Sequence, residues 1–190
     1  MKKIVDIANI ITGFAAVVAL VISIYTNKRT NNTSKTDFLL NLKEMFNSES
    51  KKCIHIELRE GKDISSWVDL DDYLGLFEIC KMMLDEKTIS IKSFSDLYAY
   101  RLNNIFMNDK IVLYKLVMEF ESWRNLIELY GKVFPKIKKE ISDFKAIGKK
   151  MFDKYSVEFW KKQDEMIIGE NDLVEIFAIR DKIRDYLKKS

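Results

Sequence analysis

The chain has 190 residues, 47% of them hydrophobic and 32% charged, with a formal net charge of +3. That length accommodates one membrane segment and one domain of roughly 150 residues with a real core, and a chain this apolar is not a disordered one. Six glycines and a single proline argue against a strand-and-turn protein and for long helices.

The charge is unevenly placed. Before Thr36 the bases Lys2, Lys3, Lys28, Arg29 and Lys35 face Asp6 alone, so the rest is close to neutral. The whole chain makes only a weak electrostatic case for nucleic acid. Two cysteines, Cys53 and Cys80, do not make a disulfide framework, and reduced thiols in a cytosolic domain are the simpler reading.

Ile4 to Tyr25 is a mainly apolar stretch of 22 residues, and its part from Ile10 to Ile24 has only Thr12, Gly13 and Ser23 as weak interruptions. As a helix it reaches about 33 Å, against a hydrocarbon core of about 30 Å. Tyr25, Lys28 and Arg29 suit the interface. The residues after Ile24 make a poor signal-peptidase site, and no amphipathic stripe marks a buried core helix. Residues 1–25 are therefore expected to be a transmembrane anchor. The flanking cations nearly balance, so the count of charges barely favours a short tail outside and the domain in the cytosol. Ala8, Thr12, Ala16, Ala19 and Ser23 form a small-residue stripe on this helix, suited to a homo-oligomer through close helix approach.

Residues 26–36 read as a polar linker, and 37–190 as a helical domain. Ser34 and Asp37 resemble a capping box ahead of Phe38, Leu39, Leu42, Met45 and Phe46 at helical spacing. Asn47 to Ser50 breaks that helix. A short one follows from about Lys51 to Glu60, although the alternation Ile54 to Leu58 also fits a strand. Gly61 to Ser66 is a loop. Trp67 opens a helix with an acidic first turn, whose apolar face carries Leu70, Tyr73, Leu74, Phe77, Cys80 and Leu84. Ser93 is expected to cap the next, with Phe94, Leu97, Tyr98, Leu102, Ile105 and Phe106. Asn108 or Asp109 begins a longer helix to about Tyr130, bearing Leu113, Leu116, Phe120, Trp123 and Ile127. Pro135 suits a first turn, and a basic helix runs to about Lys162 with Ile137, Ile141, Phe144, Ile147, Met151 and Phe159. Gly169 interrupts, Asn171 caps, and the last helix buries Leu173, Ile176, Phe177, Ile183 and Leu187. The expected class is all-α: an N-terminal transmembrane helix followed by a multi-helix bundle.

Chemistry is hard to find. His55 is the only histidine, and Cys53, His55 and Cys80 have no zinc-ligand spacing. Scattered glycines make no phosphate loop, and no nucleophile elbow is present. No catalytic, metal or cofactor site is expected. The cluster Asp69, Asp71, Asp72, Glu78, Asp85 and Glu86 begins at a helix start, where acids belong anyway. Glu78 lies on a face that should be buried and needs a partner; Arg101, on the next helix, is the candidate for a structural ion pair. Between Lys132 and Lys162 stand ten lysines against four acids, interleaved with aromatics. Lys136, Lys138, Lys139, Lys145, Lys149 and Lys150 offer a face for anionic lipid, an acidic partner or nucleic acid. A solvated face with its aromatics turned inward is the simpler reading, the acidic stretch Glu57 to Glu86 neutralising it within the fold or across a self-association contact.

Three stretches resemble a group of bacterial single-pass membrane proteins with a C-terminal helical domain of unknown function. They are Thr36-Asp37-Phe38-Leu39-Leu40-Asn41-Leu42 with Phe46-Asn47-Ser48-Glu49, the run Trp67 to Glu78, and Tyr98-Ala99-Tyr100-Arg101-Leu102. The resemblance covers about half the chain; Met83-Leu84-Asp85-Glu86 departs from the glycine-bearing turn usual in the group. It implies a cytosolic domain at a bacterial inner membrane, with the short tail outside, and supplies no activity. The resulting expectation is a membrane-anchored interaction or scaffold protein, in one version a defence effector that clusters at the membrane. The alternative is a membrane-associated enzyme acting on nucleic acid or lipid through the acidic cluster and the lysine-rich helix.

Overall fold

A computed structural model describes residues 35–162 and 167–189. The proposed anchor, most of the linker and the stripe Ala8, Thr12, Ala16, Ala19 and Ser23 lie outside the described residues. Among those described, no helix is long and apolar enough to cross a membrane. The chain divides after Lys43, and the unit Glu44–Ser190 carries the helical body.

The described residues are helical with no strand, so the class is all-α and the body a bundle. Helix α1 occupies 35–46, its last residues entering the second unit. Then follow α2 (Glu49–Glu60), α3 (Trp67–Asp85), α4 (Ile91–Met107), the short α5 (Asp109–Ile111), a π-helix (Val112–Val117), α6 (Arg124–Val133), a 3₁₀ turn (Pro135–Ile137), α7 (Lys138–Lys162) and α8 (Glu170–Leu187). The Ile54–Leu58 alternation resolves as helix: Ile54 and Leu58, four apart, are both buried, whereas strand spacing would have sent Ile56 inward with them.

Helix ends follow local chemistry. The Ser66 hydroxyl accepts from the Asp69 amide at 3.2 Å, satisfying a free N–H at the start of α3. Ser90 does the same for α4, accepting from Ser93 N at 3.0 Å; the cap expected at Ser93 therefore sits three residues earlier. Gly169, not Asn171, precedes α8. Helices α2 and α3 end in the same motif. Lys62 N donates to Glu57 O and Gly61 N to Leu58 O, while Thr88 N donates to Met83 O and Lys87 N to Leu84 O. Each pair of bonds closes a Schellman turn. The left-handed position is Gly61 (φ 65°) in one and Lys87 (φ 59°) in the other.

The largest departure from expectation lies between Asn108 and Tyr130. Asn108 caps as expected, accepting from Ile111 N at 3.2 Å, but the helix does not run through. It widens into the π-helix, with Met118 N bonding back to Leu113 O, then tightens through Ser122 N to Glu119 O and Trp123 N to Phe120 O before α6 begins. Spacing alone did not reveal this, because Leu116, Phe120, Trp123 and Ile127 are buried as an α-helix would bury them.

Helix α3 packs on α2 and α6, α7 on α6 and α8, and α4 on α2, α6 and α8. One aromatic cluster joins Phe46, Tyr73, Phe77, Phe94 and Tyr98. A second joins Phe106, Tyr130 and Phe144, and the Tyr130 hydroxyl donates to the buried Leu102 carbonyl. Each such ring stabilises the fold by about 2–3 kcal/mol of removed apolar surface. Leu97, expected inside, is exposed.

Candidate functional site

Between the start of α3, the π-helix and the end of α7 lies a cleft of about 400 Å³. Trp67, Tyr114, Phe159 and Trp160 supply its aromatic lining, and Asp71, Lys115 and Glu119 its charges. Trp67 stands edge-on to Tyr114, Tyr114 lies nearly parallel to Phe159 with centroids 6.3 Å apart, and Trp160 stands edge-on to Phe159. Trp160 is 59% exposed and Trp67 38%, a large apolar display for side chains that are normally mostly buried.

Lys115 is only 7% exposed, so its charge needs partners. The ammonium lies 2.7 Å from Asp71 and 2.9 Å from Glu119, and 5.7 Å from the centre of the Trp67 ring, within cation–π range. The other Glu119 oxygen accepts from the indole N–H of Trp123 at 3.1 Å. The π-helix assembles this group: it sets Tyr114 and Lys115 at the cleft and buries the run Lys115 to Met118. π-Helical turns are rare and concentrate at functional sites.

The Glu78–Arg101 ion pair does not form. The Arg101 guanidinium reaches the other way, donating to the Phe46 carbonyl and the Asn47 side chain at 3.2 Å each and to the Tyr100 hydroxyl at 2.9 Å, and lying over the Phe46 ring. It clamps the end of α1. Glu78 accepts from the Leu126 backbone N–H and from the Asn125 side chain. Helix α6 has no side-chain cap of its own, so Glu78 caps it from α3. Burial raises the Glu78 pKa, opposed by those hydrogen bonds. Glu78 has partners, but Arg101 is not among them: each side chain is satisfied by one backbone group together with neighbouring polar side chains.

The lysine face divides in two. Lys145 pairs with Glu128, Lys149 with Glu121 and Asp153, and Lys150 with Glu175. Lys136, Lys138 and Lys139 are exposed and carry no carboxylate partner among the described residues. Ile141, Phe144, Ile147, Met151, Tyr155 and Phe159 turn inward. Neutralisation within the fold comes from Glu121 and Glu128, from Asp153 on α7 itself, and from Asp172 and Glu175 on α8; of the stretch Glu57 to Glu86, Asp85 contributes through Lys132.

The acidic cluster is also engaged. Lys51 reaches Asp72 at 2.9 Å and Asp69 at 3.8 Å, Asp71 holds Lys115, and Asp85 holds Lys81 at 2.5 Å. No group of potential metal ligands gathers among the described residues. Both cysteines are free, and burial pushes the Cys80 thiol up to about 12. His55 stacks edge-on against Tyr100 with Nδ1 unpartnered; burial, then the nearby Arg101 and Arg59, lower its pKa to about 4.

The sequence reading missed Tyr114, Lys115 and Glu119. The available signal was a lysine inside the apolar run Val112 to Met118, with a glutamate four residues on. Comparison with protein-family models, curated proteins and solved structures returned no match in any of the three.

Proposed function

We propose that the chain is a membrane-tethered binding module, in which Ile4–Tyr25 holds the helical body at a bilayer and the aromatic cleft receives the ligand or partner. The observation that carries the binding role is the cleft itself. Four aromatic rings, two of them substantially exposed, surround a largely buried lysine held by two carboxylates, beside a π-helix. Burial alone would favour turning those indoles inward, and a π turn sacrifices hydrogen-bond regularity; both fit a site kept open for recognition. The tether rests on the length and apolarity of Ile4–Tyr25 and its basic flanks. The resemblance to bacterial single-pass proteins supports a domain on the cytosolic side of the inner membrane. An enzyme reading draws on the acidic cluster and the lysine helix, much of which is occupied by internal ion pairs, so binding is favoured.

Two measurements test the two halves. Alkaline carbonate should leave the full chain in the membrane pellet and release a chain beginning at Thr36; release of both removes the tether. Affinity capture from detergent-solubilised membranes, read by mass spectrometry of proteins and small molecules, should retain a component with the native chain and lose it with Trp160→Ala. Equal retention by the two would remove the cleft from the account.

A further inference from the structure

We infer that the cleft recognises an alkylated ammonium group of the trimethylammonium type. This rests on the reading of the cleft as a binding site and names its ligand class. Three features of the lining converge on that chemistry.

The first is the orientation of the rings. Tyr114 and Phe159 are within 21° of parallel, while Trp67 meets Tyr114 at 81° and Trp160 meets Phe159 at 69°. The ring planes that line the cleft therefore take more than one orientation. A flat ring such as a nucleobase calls for a platform or a parallel slot, whereas a rounded cation surrounded by methyl groups gains from faces presented at steep angles. Tyr114 and Phe159, with centroids 6.3 Å apart, leave no slot between them for a third ring.

The second is charge. Asp71 and Glu119 contribute two negative charges and Lys115 one positive, so the lining carries a net charge of 1 − 2 = −1. That balance favours a ligand that brings a cationic group over one that is anionic alone. The third is the behaviour of the one ammonium already present. Lys115 places its Nζ over Trp67, while Tyr114, Phe159 and Trp160 have no cation over their faces among the described residues. The volume of about 400 Å³ lies near the lower end of the ~300–1,000 Å³ typical of small-molecule sites, a size for a headgroup rather than a polymer.

A trimethylammonium group occurs both in free choline-like solutes and in lipid headgroups. Calorimetric titration of the full chain in dodecyl maltoside, with choline, its uncharged isostere 3,3-dimethylbutan-1-ol, and glycerophosphocholine as probes, separates these cases. Saturable binding of choline at least tenfold tighter than the isostere is expected. Trp160→Ala and Asp71→Asn should each weaken it about tenfold, the loss of one cation–π wall or of the net negative charge. Trp160 is exposed, and Lys115 keeps Glu119 in Asp71→Asn, so neither variant should unfold. Tighter glycerophosphocholine than choline assigns the lipid source, and the reverse assigns the free solute. Equal binding of choline and the isostere overturns the cation while leaving the cleft a binding site. Choline binding unchanged in Trp160→Ala, or no saturable heat with either trimethylammonium-bearing probe, overturns the inference. The capture experiment with native chain and Trp160→Ala then judges the cleft separately.

Discussion

Replacing Lys115 tests whether the charged floor of the cleft is a coupled unit. Lys115→Met keeps most of the aliphatic stem but removes the charge held at 2.7 Å by Asp71 and 2.9 Å by Glu119. Asp71 is 44% exposed at its side chain and turns to water; Glu119 is 12% exposed and is left with the Trp123 N–H. Breaking a buried pair by removing one partner costs about 3–5 kcal/mol, and the exposure of Asp71 places this case nearer about 3. Glu119→Gln costs less, about 1 kcal/mol, because Lys115 keeps Asp71 and the amide oxygen still accepts from Trp123. In the double variant the buried carboxylate that made Lys115→Met expensive is gone. The two effects should therefore fall short of additivity by about 1–2 kcal/mol. Urea unfolding of the four proteins, followed by near-UV circular dichroism, gives the cycle directly. Additivity within about 0.5 kcal/mol, or a Lys115→Met variant as stable as the native chain, would refute the coupling.

Three further outcomes follow from local geometry. Lys87→Gly should stabilise by about 0.5–1 kcal/mol, because relief of a left-handed non-glycine residue (φ 59°) outweighs the added freedom of the unfolded chain. Gly61→Ala at the equivalent position should destabilise by about 1 kcal/mol, so the two melting temperatures should move in opposite directions. Gly148→Ala gains about 1 kcal/mol of helix propensity, but its Cβ would sit 2.6 Å from Cδ2 of Phe120, a ring 2% exposed. Overpacking of about 1–3 kcal/mol wins, and Phe120→Leu in that background should restore stability. His55 has its folded pKa lowered to about 4, so between about pH 6.5 and 4 the unfolded chain binds a proton that the native chain refuses. Stability falls as pH drops through that window and levels below it, by about 1–2 kcal/mol once solvent screening is allowed for. Urea midpoints at pH 7, 5.5 and 4.5 should show His55→Gln losing less than the native chain; parallel losses would refute the assignment.

The helices were legible because their burial follows period. Ile141, Phe144, Ile147 and Met151 announce α7, and all are buried. Caps were less so, since Ser90 and Ser93 are both competent and only the backbone decides which precedes the first turn. The partners of buried charges were the least legible. Arg101 is satisfied by the Phe46 carbonyl and Glu78 by the Leu126 N–H, and every residue offers such groups, so nothing in the sequence singles these out. The π-helix escaped for a related reason. One widened turn followed by tightened ones returns Phe120, Trp123 and Ile127 to the core, so the apolar pattern on either side gives no sign of it.

The cleft also depends on a residue outside it. Gly148 lets α7 lie directly against Phe120, which follows the π-helix by three residues. Phe159 stands 11 residues beyond Gly148, close to three full turns at 3.6 residues each, hence on the same face of α7 about 16 Å along. The face that the missing Cβ allows to approach Phe120 is therefore the face that brings Phe159 alongside Tyr114. A side chain at 148 would push α7 away at one end of this contact, and the Tyr114–Phe159 pair would open at the other. Gly148→Ala should therefore weaken whatever the cleft binds by more than its loss of stability explains, and Phe120→Leu should restore both together. A variant that recovers stability without recovering binding would separate the packing of α7 from the shape of the cleft.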